Sequence, residues 1–245
     1  MQVRWRRCRG SDASGQRVGR RPGLSCILAV ATALVLAACE SPAEPNIIRG
    51  YDFTLPVSGD IVYRWPEGST VRLYADPSGD PERAALLEEA VDYAIGDWSD
   101  ALGDASVSLV RVEELRAADV VVRWSDVPPP VQADHCAPRV SGSAATTFCP
   151  NADLTGLERF PLPDATDPDE SSVRMLVTVL AEEAVGLGRV RQLVAHELGH
   201  VLGIGRHSPD PNDLMWDGPL GTDRPSAADR ATIRRLYDTP PVLVP

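Results

Sequence analysis

Lysine is absent from this 245-residue chain, and histidine nearly so, with four. All 24 basic residues are therefore arginine, against 35 acidic residues, for a formal net charge of −11. A chain this acidic repels phosphate backbones, which excludes nucleic acid as a partner. The five cysteines include no CxxC pair, so a structural zinc site built on cysteine pairs is disfavoured. No internal repeat is evident. The apolar run at residues 24–38 is too short for a comfortable membrane span.

The few histidines are concentrated: His196, His200 and His207 fall within twelve residues. On a helix of 3.6 residues per turn, positions i and i+4 lie one above the other. His196 and His200 can then aim two imidazoles at one ion. Glu197 sits about 100° round the helix from His196, beside the ion, where a carboxylate can take a proton from water. Gly203 suits a helix C-cap, because glycine tolerates the left-handed conformation, and the chain can reverse there. Arg206 cannot ligate, since guanidinium stays protonated and has no lone pair to give. His207 can, which makes it the third ligand and leaves a fourth position for water, as catalytic zinc requires. His135 reads as a loop residue away from the metal.

Residues 196–216, HELGHVLGIGRHSPDPNDLMW, resemble the metzincin metallopeptidases and, within them, the matrixin-like branch, whose signature is HExxHxxGxxH followed by a Met-turn. The resemblance implies an α+β, zincin-like catalytic domain with a twisted mixed sheet, an active-site helix and a C-terminal helix. It implies Zn(2+) held by His196, His200 and His207, Glu197 as general base, and Met215 beneath the metal. A protein or peptide substrate and a monomeric enzyme are expected with it. The third histidine comes one residue late, with Arg206 in its usual slot. The pair His207-Ser208 and the triplet Asp213-Leu214-Met215 resemble bacterial matrixin-like sequences that carry this extra residue. The cysteine-switch propeptide of animal matrixins is missing. Asp217 stands where the astacin-like branch has a tyrosine. Trp216 is either a wall of the substrate pocket or part of the core. Two other readings differ in class: a catalytically inactive zinc-binding envelope lipoprotein that binds peptides or wall components, and a structural lipoprotein with a chance HExxH.

Residues 1–21 carry seven arginines and one acid, Asp12. The apolar run then ends in Leu36-Ala37-Ala38-Cys39, which resembles a bacterial lipobox. A lipoprotein-type signal peptide over residues 1–38 follows, with Cys39 lipidated and the protein held at the cell envelope by its lipid anchor. An ordinary signal peptide cut nearby is the alternative. Beyond residue 38 there remain 17 basic and 34 acidic residues, a net −17. Such a domain is repelled by anionic lipid, so acyl chains must hold it, at about 0.8 kcal/mol per buried methylene. Cys136 and Cys149 are left as an even pair in an oxidising compartment. A disulfide closing that short loop contributes roughly 3 kcal/mol, and two free thiols are the alternative.

Residues 39–68, with Pro42, Pro45 and Pro56, read as a tether, residues 69–238 as the catalytic domain, and residues 239–245 as a tail. Within the domain, strands are expected at 71–75, 107–112, 120–124, around 140–148, and at 173–180. A helix is expected at 81–100 with Pro81 in its first turn, the site helix at 190–202, and a last helix capped by Ser226 and running to 237. Residues 125–172 read as largely irregular. Their acidic stretch from Asp164 to Glu170 is a solvated loop, or alternatively holds Ca(2+).

Overall fold

Seven strands in one mixed sheet form the frame on which the histidine-bearing helix rests. The computed structural model describes residues 49–55, 61–77, 79–105, 107–126, 136–140, 143–162, 172–181, 186–219, 221–241 and 243–245, with backbone only for 137–140. Cys39, His135 and the acidic stretch 164–170 lie outside these residues. No helix among the described residues is long and apolar enough to cross a membrane.

The strands are β1 (Thr70–Ala75), β2 (Ser108–Arg111), β3 (Val120–Ser125), β4 (Ala137–Val140), β5 (Ala144–Pro150), β6 (Leu157–Glu158), β7 (Phe160–Pro161), β8 (Ser172–Val173) and β9 (Met175–Leu180). The sheet runs β2-β1-β3-β9-β5-β4, with β6 paired to β5, while β7 and β8 form a separate ribbon. β1, β2, β3 and β9 are mutually parallel, and β5 runs antiparallel to both β9 and β4. Parallel strands covered on both faces read as unbroken apolar runs. Val120, Val121 and Val122 in β3 are accordingly all fully buried. Val120 and Val122 face the helices, and Val121 faces a second cluster with Leu176, Phe160, Leu162 and Val173. That second cluster contains Cys136 and Cys149, which are joined by a disulfide.

The three helices are α1 (Pro81–Leu102), α2 (Gly186–Val201) and α3 (Ala227–Tyr237). Asp80 caps α1, its carboxylate accepting from the Glu82 and Arg83 amides. Ser226 and Asp229 close a reciprocal capping box at the start of α3, which satisfies two otherwise orphaned donors. α1 buries Leu87, Ala90, Val91, Ala94 and Trp98, and the Trp98 indole donates to the Ala195 carbonyl of α2 at 2.7 Å.

Four expectations need correction. The tether does not extend to Gly68: Phe53, Leu55, Ile61, Tyr63 and Trp65 are buried in the main core. Two and three alternating apolar residues beside prolines make too short a pattern to mark a strand, yet Trp65 and Tyr63 reach the Val201 carbonyl at the end of α2. The tail is tied as well. Leu243 is fully buried, pairs with Tyr63, and its neighbour Val244 pairs with Gly156. Around residues 140–148 there are two strands, since Val140 and Ala145 are opposed across a hairpin. The segment after β3 is thus partly regular. Finally, α2 begins at Gly186, four residues before the apolar stripe that marks it in the sequence.

Candidate metal centre

α2 presents His196, Glu197 and His200, all buried. It ends where glycine permits. Gly203 has φ +112°, its amide bonds to the His200 carbonyl, and Ile204 N–H bonds to the Gly199 carbonyl, the paired pattern of a Schellman turn. A Cβ on Gly203 would stand 2.2 Å from the Tyr63 carbonyl oxygen. The remaining terminal carbonyls of the helix are met from outside. Trp65 Nε1 donates to Val201 O at 2.9 Å, and Tyr237 Oη donates to Leu202 O at 3.1 Å.

The reversal returns His207 to the helix. Ring centroids of His196 and His200 are 5.1 Å apart, of His196 and His207 5.2 Å, and of His200 and His207 5.0 Å. One ligand-capable atom from each ring lies within 4.8 Å of the others. The extra turn residue therefore does not carry His207 away. Arg206 instead points to the N-terminal segment, where its Nε lies 2.8 Å from Asp52 Oδ2 and 3.3 Å from Thr54 Oγ1. The neighbouring Gly205 amide donates to Phe53 O at 2.7 Å.

Do these residues fit a metal ion? His196 Nδ1 lies 2.7 Å from Leu214 O, and His200 Nδ1 lies 2.6 Å from Ile204 O. A carbonyl only accepts, so both Nδ1 atoms carry the proton and both Nε2 atoms carry the lone pair. His196 Nε2 is buried and meets no hydrogen-bond partner among the described residues. His200 Nε2 and His207 Nε2 face each other at 3.2 Å. A tetrahedral ion with zinc–nitrogen bonds of ~2.0–2.1 Å spaces its ligand nitrogens at ~3.3 Å. The donor set fits zinc. On the far side of His207, Nδ1 lies 3.6 Å from Asp217 Oδ2, within ion-pair reach.

Met215 is fully buried against Gly199 of α2. A Cβ on Gly199 would lie 2.3 Å from Met215 Sδ and 2.9 Å from Trp98 Cζ2, so the variable position of the HELGH segment is glycine because the thioether occupies that space. The Met215 turn is anchored by Asp229. Its carboxylate accepts from Leu214 N at 2.9 Å, Met215 N at 3.4 Å and Ser226 N at 2.8 Å, and from Tyr51 Oη at 2.5 Å. Burial and the adjacent Asp229 raise the Tyr51 pKa, keeping that phenol a donor. Ser208, next to His207, pairs with Met215 through its backbone and with Asp213 through its hydroxyl.

Glu197 is fully buried, and its Oε2 accepts from Thr146 Oγ1 on β5 at 2.6 Å. Trp216 is half-buried and outside the core cluster, its indole nitrogen against Gly218. Of the residues that sequence reasoning passed over, Thr146, Asp229, Tyr51 and Asp52 are brought to the site by tertiary contact. Only Asp229 had a local signal, as the N3 acid behind Ser226.

Burial pushes the His196 pKa down from 6.5 to about 4, against the opposing Leu214 carbonyl bond. In metal-free protein the unfolded chain takes up this proton near pH 6.5 and the folded chain only near pH 4. The unfolded state therefore binds more protons across that window, and stability falls as the pH drops through it. The shift is worth ~3 kcal/mol at most. Urea unfolding of chelator-treated protein from pH 7 to 4 should show this fall, and a His196→Gln variant should show a shallower one. Equal slopes would assign the loss to other groups.

No family model matches the chain, and no curated protein matches it. Two solved structures of myroilysin are similar to it. One has a TM-score of 0.42 and 14% identity, covering 77% of this chain and 95% of that chain. The other has a TM-score of 0.40 and 14% identity, covering 71% and 82%. Likeness at this level decides neither fold family nor function, and the chemistry of the site stands on its own residues.

Proposed function

We propose that this chain is a zinc-dependent endopeptidase of the metzincin type, matrixin-like, acting on polypeptides at the cell envelope. The observation that carries this reading is the convergence of His207 on His196 and His200 despite its late position, with Glu197 adjacent. His196, His200 and His207 would hold a zinc ion, which would supply a Lewis acid for the activation of water and the polarisation of a peptide carbonyl. Glu197 takes the proton of the attacking water and returns it to the leaving amine. The Leu214 and Ile204 carbonyls hold two imidazoles in the ligating tautomer. Met215 supports the helix floor through Gly199. An extended substrate adds to a sheet edge, a main-chain mode with weak side-chain selectivity. On the side of Thr146 the edge strand among the described residues is β4. Trp216 and the turn that follows it are the proposed pocket wall.

Cys39 is the proposed lipid-bearing residue, supported by Leu36-Ala37-Ala38 before it. Gly50 already packs on Thr232 of α3. About eleven residues then separate anchor from domain, ~40 Å at full extension, where a tether to Gly68 allows ~100 Å. Substrates near the membrane are favoured accordingly.

The test is cleavage of denatured casein by the purified protein. Activity is expected with zinc, lost to a chelator and restored by adding zinc back. A zinc-loaded protein that leaves casein and other unfolded proteins intact would leave the inactive zinc-binding lipoprotein as the reading.

A further inference from the structure

We propose that Thr146 is the positioning residue of the Glu197 carboxylate, a role that rests on the peptidase reading above. Thr146 is fully buried in β5, between Val177 of β9 and Arg139 of β4 in register. Its Oγ1 stands 2.6 Å from Glu197 Oε2 and 3.3 Å from Glu197 backbone O. One hydroxyl has one proton to give. It goes to the carboxylate, the closer and charged acceptor, where such a bond is about twice as strong as a neutral one.

The sheet makes this bond rigid. β5 is paired on both sides, and a β-branched side chain is stiff about χ1, so the direction of the hydroxyl is set by strand geometry. The glutamate is the soft partner, because its terminal torsion is broad. Holding one oxygen gives the carboxylate one orientation for receiving and returning a proton, and misplacement by an ångström is costly in such a step. A valine at this position would fill the same space without the bond. The role is exerted through Glu197, since nothing places Thr146 against the metal or the substrate.

The experiment uses the zinc-loaded full chain with an internally quenched peptide that the wild type cleaves. Thr146→Val is expected to lower kcat by at least about tenfold, the lower end for losing a hydrogen bond to a charged group, with KM and zinc content unchanged. Thr146→Ser is expected to recover most of the loss. A kcat for Thr146→Val within twofold of wild type would overturn the proposal, as would a serine variant as impaired as valine. If the valine variant does not fold, Thr146→Ala is judged by the same criteria. Should the wild type bind zinc and cleave no peptide, the peptidase reading fails by itself, and a thermal-melt cycle of Thr146→Val with Glu197→Gln decides the contact. Losses in Tm that add would overturn it, and losses that do not add support it.

Discussion

Replacing Glu197 by glutamine should lower kcat by ~10²–10⁴-fold, the contribution typical of a positioned general base, and leave the zinc content at the wild-type level. The substitution preserves shape, and the amide oxygen can still accept from the Thr146 hydroxyl that now reaches Glu197 Oε2 at 2.6 Å. It removes only the capacity to take up a proton. The three histidines that converge as a metal-ligating group do not include Glu197, so metal binding is separable from proton transfer. Casein cleavage and elemental analysis on the same sample check both halves. Undiminished cleavage at full zinc would remove Glu197 from the reaction, whereas lost zinc would show that it supports the metal site.

A chain beginning at Ser69, the boundary that composition suggests, should have no cooperative thermal transition. A chain beginning at Arg49 should melt like the longer protein. The difference lies in Phe53, Leu55, Ile61, Tyr63 and Trp65, all in the main core. Truncating one buried aromatic residue to alanine costs ~3–5 kcal/mol, and a whole domain is stable by only ~5–15 kcal/mol. Removing three buried aromatic and two buried aliphatic side chains together exceeds that margin. The deletion also strips the Trp65 donor from the Val201 carbonyl at the end of α2 and Tyr51 from Asp229. Circular dichroism melts of both chains check this. A sharp transition in the shorter chain within a few degrees of the longer one would show that the N-terminal segment is dispensable.

Elements with their own periodicity or punctuation were legible from residues alone. α1 shows Pro81 and a helical stripe, α3 shows Ser226 as its cap, and β1, β3 and β9 show runs of β-branched and apolar residues. The antiparallel pair β4 and β5 was not separable, because in sequence the interval Ser141-Gly142-Ser143 reads as part of one irregular stretch. The segment 49–65 failed for a different reason. Phe53 and Leu55, and then Ile61, Tyr63 and Trp65, alternate with less buried neighbours, but runs of two and three positions beside Pro56 and Pro66 are too short to stand out as strands.

The sequence by itself determined the chemistry on offer: three imidazoles, a carboxylate beside the first, a glycine where the helix must end, and a methionine downstream. Helical spacing decides those relations within one short stretch, so no distant residue is needed to read them. Only the tertiary structure decided whether His207 faces the other two, which carbonyls fix their tautomers, and which hydroxyl holds Glu197. Those contacts join residues far apart in the chain, Thr146 to Glu197 and Asp229 to Leu214 among them. The physical reason is that a hydrogen bond is specified by position in space, and strand pairing, core burial and the turn after α2 set those positions together.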